Sequence, residues 1–136
     1  MPMRFEPIES VAQEIVTLER DPATRATVAT GAWVSAETYT FTVDDLKNNR
    51  WQVMEFIVSY DLFNTAAING QTRILATNKT TNAYNLSNVD TARYEFTIPV
   101  FDWSKAVSIA VQHNATNGNS LTLKAIQIQA RVVTFV

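Results

Sequence analysis

The 136-residue chain has no cysteine, one histidine, three glycines and four prolines. Without cysteine there is no disulfide framework, no thiolate metal site and no cysteine nucleophile, so stability must come from packing. His113 has no second histidine or cysteine to complete a transition-metal set, which leaves zinc without ligands. So few glycines exclude a glycine-rich phosphate loop. Charge is also sparse: 18% of residues are charged, and the net charge of −2 provides no positive field for phosphate backbones or anionic lipid. Nucleic acid and membrane are therefore not expected as partners. The most apolar stretch, 51–63, is interrupted by Gln52, Glu55, Ser59 and Asp61 and is too short and polar to cross a bilayer. The first residues, Met1-Pro2-Met3-Arg4-Phe5-Glu6-Pro7, lack the apolar run of a secretory signal, so export by that route is not expected, and with no bilayer-crossing stretch a soluble protein is expected.

What the chain does have is a 46% apolar fraction, enough for one core and one domain. Its dominant pattern is period-two alternation. Tyr39, Phe41 and Val43 alternate with threonines, Tyr94, Phe96, Ile98 and Val100 with Arg93, Glu95 and Thr97, and Val107, Ile109 and Val111 with Ser108, Ala110 and Gln112. Pro99 cannot donate to a ladder, which places its strand at a sheet edge or bulge. Between Asn114 and Ser120 a polar turn run predicts a hairpin. Beyond it the apolar phase moves from Leu121 and Leu123 to Ile126, Ile128 and Val132, as a one-residue bulge near Lys124 and Ala125 would produce. In 51–60, Met54, Phe56, Val58 and Tyr60 are assigned to one face and Trp51, Val53 and Ile57 to the other, so both faces need cover. Asp44 to Lys47 suit one helical turn. With weaker strands in 25–34 and 71–77, the pattern predicts an all-β antiparallel β-sandwich, a jelly roll of about eight strands.

The N-terminal part reads two ways. Ile8, Val11, Ile15 and Leu18 fall at helical spacing after Pro7, whereas Ile15, Val16 and Thr17 are β-branched and strand-prone. The expected division is 1–24 as an arm, short helix or first strand, and 25–136 as the sandwich.

No side chains assemble a catalytic motif. Ser108, Ser120, Asp90 and Asp102 could be combined with His113 in space, but no strained nucleophile turn is present, and His113 reads more simply as a strand-end ring covering the core edge. Glu55 interrupts an apolar face, which a cross-strand arginine would explain as well as acid–base chemistry. Asp44, Asp45 and Asp61 do not make a calcium loop. The N-x-[ST] triplets at Asn78, Asn85 and Asn114 follow from abundant Asn and Thr. No enzyme activity and no cofactor are expected. Most aromatic residues suit the core. Trp33, after Gly31, and Tyr84, in the polar stretch 78–91 with Asn82, are the candidates for loop contact or for stacking on a glycan.

Within 93–131, the alternating strands at Tyr94–Val100 and Val107–Val111, the polar turn and the Ile126-x-Ile128 strand resemble the closing strands of jelly-roll domains. The chain as a whole, cysteine-free, rich in Thr, Asn and Gln, with apolar residues on its N-terminal arm, is similar to accessory virion proteins of tailed bacteriophages, the capsid decoration or cement proteins. That resemblance implies a virion location, assembly in a host cytoplasm, and contact with a major capsid or other virion protein. Carbohydrate-binding modules share the fold and supply the alternative. The apolar arm residues Met3, Phe5 and Ile8, the strand residues Trp51, Val53 and Ile57, and the terminal Phe135 and Val136 are the expected interface of a homo-oligomer, taken as a trimer.

Overall fold

The computed structural model describes residues 11–21, 25–28, 32–47, 50–64, 70–77, 79–86, 91–100, 104–115 and 120–135. They form strands β1 (Val11–Asp21), β2 (Arg25–Val28), β3 (Val34–Phe41), β4 (Trp51–Asn64), β5 (Gly70–Ala76), β6 (Tyr84–Leu86), β7 (Thr91–Pro99), β8 (Val107–Ala115) and β9 (Ser120–Phe135), with one short helix, α1 (Val43–Leu46). One sheet runs β1-β9-β4-β7, with β2 also on β9, and the other runs β3-β8-β5-β6, all antiparallel. Because β1 and β2 occupy successive lengths of the same β9 edge, they share one strand position. The two sheets then have the four-plus-four order of a jelly roll.

The expected all-β sandwich is what the chain forms. Residues 11–21, for which helix and strand were both open, are a strand paired along β9. The arm residues Met3, Phe5 and Ile8 lie outside the described residues, as does Val136. The predicted hairpin after Asn114 is not one: β8 belongs to one sheet and β9 to the other, so this connection crosses the sandwich. Alternation on both sides of a polar turn shows two strands but not whether they pair, and in this topology they face each other across the core.

Each sheet contributes one apolar face to a common core. Phe56, Val58, Tyr60 and Leu62 of β4, Phe96 and Ile98 of β7, and Ile126, Ile128, Ala130 and Val132 of β9 meet Ile74 of β5 and Val107, Ile109 and Val111 of β8, all buried. Phe41 and Phe56 stack across the sheets with centroids 5.2 Å apart. α1 closes one end by burying Leu46, and it starts at a capping box in which Thr42 and Asp45 satisfy each other's backbone N–H groups.

Bulges decide which residues face inward. On β9 the pairing with β4 slips between Ser59 and Asp61, so Ala125 and Ile126 oppose one residue. Ala125 has φ 54°, the left-handed region that costs a non-glycine residue about 1 kcal/mol. This is the bulge the phase change predicted. A second slip, between Val53 and Glu55, makes Met54 the extra residue of β4. Met54 is 43% exposed, whereas Val53 is fully buried and Trp51 is packed against the core. The assignment of Trp51 and Val53 to an outer face is therefore corrected. The extra residue shifts the alternation by one, which places both in the sandwich interior and leaves only Ile57 outward.

Candidate functional site

A surface cleft of about 450 Å³ lies at the open side of the sandwich, lined by Lys79, Thr80, Thr81, Asn82 and Tyr84 from the β5–β6 region and by Glu95, Phe96 and Thr97 of β7. Its position follows from topology. β6 is the edge of one sheet and β7 the edge of the other, so the inward residues of β7 would meet water there. Tyr84 covers them, its ring 5.1 Å from that of Phe96 and 5.8 Å from that of Tyr94, while half of the residue remains exposed. The segment leading to it is held on β5. The Ala76 N–H donates to the Lys79 carbonyl (2.8 Å) and the Thr81 N–H to the Ile74 carbonyl (3.0 Å). The Ile74 N–H in turn donates to Thr81 Oγ1 (3.0 Å). Two residues singled out from the sequence, Asn82 and Tyr84, thus share one cleft. Glu95 and Thr97, on the polar phase of their strand, complete it from β7; only the pairing of strands could have revealed them.

Trp33 lies elsewhere. The Arg73 guanidinium sits 3.9 Å above its ring, Arg73 Nε donates to Gln112 Oε1 (2.9 Å), and Gln112 Nε2 donates to Ser35 Oγ (3.2 Å). One face of the indole is therefore occupied by a cation–π contact.

The outer face of the five-stranded sheet is a broad, regular surface. Register and alternation set its rows as Gln13, Val133 and Gln52; Ile15, Arg131, Glu55 and Pro99; Thr17, Gln129, Ile57 and Thr97; and Arg20, Gln127, Ser59 and Glu95. Ile15 is 48% exposed, and Ile57 and Val133 are half-buried. Two ion pairs lie on this face: Arg131 Nε donates to Glu55 Oε1 (2.7 Å), and Arg93 donates to Asp61 (3.0 Å) and also to Ser59 (2.9 Å). The cross-strand arginine anticipated for Glu55 is Arg131. Phe135 ends β9 opposite Val11.

His113 is deeper than a strand-end cap. It is 1% exposed, with Nδ1 3.1 Å from Thr72 Oγ1, which also bonds the Tyr60 hydroxyl. Thr72 Oγ1 also lies 3.2 Å from the Gln112 carbonyl, so three buried partners gather on one hydroxyl. His113 Nε2 has no hydrogen-bond partner among the described residues. Burial lowers the imidazole pKa from 6.5 to about 4, outweighing the opposing Gln112 backbone, and raises that of Tyr60. Ser108 points to the other face of β8, so His113 and Ser108 do not meet. Asp90 and Asp102 lie outside the described residues. Among those described, no group of three or more His, Asp or Glu is placed to hold a metal ion, and no helix is long and apolar enough to cross a membrane.

The fold defines an antiparallel jelly-roll sandwich. No family model matches the chain, and no curated protein matches it. Similar solved structures include dimeric latent PorU from Porphyromonas gingivalis, 13% identical over 93% of this chain and 13% of that one, with a TM-score of 0.55. An infectious bursal disease virus structure (Gx strain) is 7% identical over 93% of this chain and 32% of that one, TM-score 0.46. The CBM22-1–GH10 modules of Clostridium thermocellum xylanase 10B are 8% identical over 83% and 29%, TM-score 0.43. The chain thus spans a third or less of each of these three proteins. Identity this low bears on fold alone.

Proposed function

We propose that the chain is a non-enzymatic virion structural protein of the capsid decoration type, which self-associates through the outer face of its five-stranded sheet. The observation that carries self-association is that face. Four strands wide and four rows long, it covers roughly 20 Å by 30 Å, or about 600 Å², close to the ~800 Å² per partner of a standard interface. Ile57 sits in the interior of the face, with Gln13, Gln52, Gln127 and Gln129 able to donate and accept across a contact with a second copy. Its Glu55–Arg131 and Asp61–Arg93 pairs leave little charge to repel an identical surface. The proposed assembly is a trimer on a capsid. The virion role rests on the likeness of the sequence to phage accessory proteins, and the absence of a reaction is in keeping with His113 and Tyr60 being committed to the core.

Sedimentation velocity of the full chain at micromolar concentration tests self-association. The expected result is an oligomer that Ile57→Arg converts to a folded monomer; a monomeric parent chain overturns it. The virion role is tested by mass spectrometry of particles purified from the chain's source, which should retain it.

A second reading, a carbohydrate-binding module, is favoured by the meeting of Asn82 and Tyr84 in one cleft.

A further inference from the structure

We infer that the cleft between residues 79–84 and β7 is a binding site for a neutral mono- or disaccharide, such as the end of a glycan; this rests on the second reading above and names its ligand class. Three properties of the cleft point to this chemistry. The first is size, since about 450 Å³ lies within the range of small-ligand sites and suits one or two sugar rings better than a long groove would. The second is the aromatic floor. Tyr84 is backed by Phe96 and Tyr94 and is half exposed, so a rigid apolar ring is offered to a ligand with an apolar face at little entropic cost.

The third property is the mixture of polar groups. A sugar hydroxyl both donates and accepts, and the residue types lining the cleft offer both: Lys79 donates, Asn82 and Thr80 do either, and Glu95 and Thr97, which stand on the outer phase of β7, add an acceptor and a hydroxyl at the rim. Lys79 and Glu95 cancel in charge. A phosphate or carboxylate ligand would meet Glu95, a cationic ligand would meet Lys79, and a purely apolar ligand would strip water from both without replacing it. A neutral polyhydroxylated ring avoids all three penalties. Thr81 acts differently, because its hydroxyl is bound to the Ile74 backbone and it positions the segment.

Saturation-transfer NMR on the full chain tests this with maltose, cellobiose, lactose and N,N′-diacetylchitobiose, and with 3′-sialyllactose as the charged comparison. Each sugar is used at about 10 mM, above the ~1 mM dissociation constant expected of a shallow site. Transfer to at least one neutral disaccharide is expected, with affinity reduced about tenfold or more by Tyr84→Ala. Asn82→Ala, at an exposed side chain whose loss leaves the fold intact, should weaken it several-fold, and Trp33→Ala should leave it unchanged. Preference for 3′-sialyllactose overturns the neutral class while leaving a carbohydrate-binding module standing. No transfer to any sugar overturns both, and transfer unaffected by both cleft substitutions overturns the site.

Discussion

His113 makes stability depend on pH in a way that can be calculated and isolated. Its ring is buried in the core, with Nδ1 hydrogen-bonded to Thr72 and Nε2 without a partner among the described residues. Protonation would therefore place both a charge and an unsatisfied N–H in apolar surroundings. The imidazole pKa falls from 6.5 to about 4 on folding. Between these values the unfolded chain binds a proton that the folded chain refuses, so stability declines as pH falls from about 6.5 to about 4 and this contribution is then exhausted. The full loss is about 3 kcal/mol, with about 2 kcal/mol gone by pH 5. Urea unfolding of the parent chain and of His113→Gln at pH 7, 6 and 5 measures it. Glutamine keeps an N–H donor for Thr72 and does not titrate, so subtracting its pH profile removes the carboxylates. The parent should lose about 2 kcal/mol more than the variant between pH 7 and 5. Parallel profiles, agreeing within about 0.5 kcal/mol, would refute the reasoning. So would an NMR titration of this single histidine, in the folded chain, near its ordinary value.

Two further substitutions probe the sheets. Ala125→Gly should raise the stability measured by urea unfolding by up to about 1 kcal/mol, because glycine adopts the positive φ of the β9 bulge without steric cost. A double-mutant cycle on Glu55→Ala and Arg131→Ala should give a coupling below about 1 kcal/mol that shrinks in high salt, since both side chains are partly exposed and solvent screens them.

The strands β3, β7 and β8 were legible because their inward positions are apolar and the alternating ones polar or small, which writes the period directly into Tyr39 and Phe41, into Tyr94, Phe96 and Ile98, and into Val107, Ile109 and Val111. The bulge at Ala125 was legible for the same reason: a phase change inside a regular pattern has few other causes. The bulge at Met54 was not, because β4 carries apolar residues in both phases, and a slip of one residue exchanges faces without disturbing that pattern. Trp51 and Val53 were consequently placed outside. The burial of His113 was hidden for a different reason, since its partner Thr72 stands 41 residues away and looks like any polar strand residue. In the cleft, Asn82 and Tyr84 stood out as large or polar groups in a long loop, whereas Glu95 and Thr97 became part of it only because the jelly roll brings β6 and β7 to the same open side.

The two proposed surfaces are adjacent, and this constrains how they could work together. Thr97 lines the cleft and is also the direct β7 partner of Ile57 in the outer-face row. One strand spacing, about 4.8 Å, separates them. A second copy seated over Ile57 would therefore approach the cleft at Glu95 and Thr97 while leaving the opposite wall, Lys79 to Tyr84, open. Because the proposed contact is four strands wide and includes β7, the oligomer either deepens the cleft or closes it, and sugar affinity then follows protein concentration through the association midpoint. Linkage requires the reciprocal effect, with a saturating sugar shifting the association constant by the same factor.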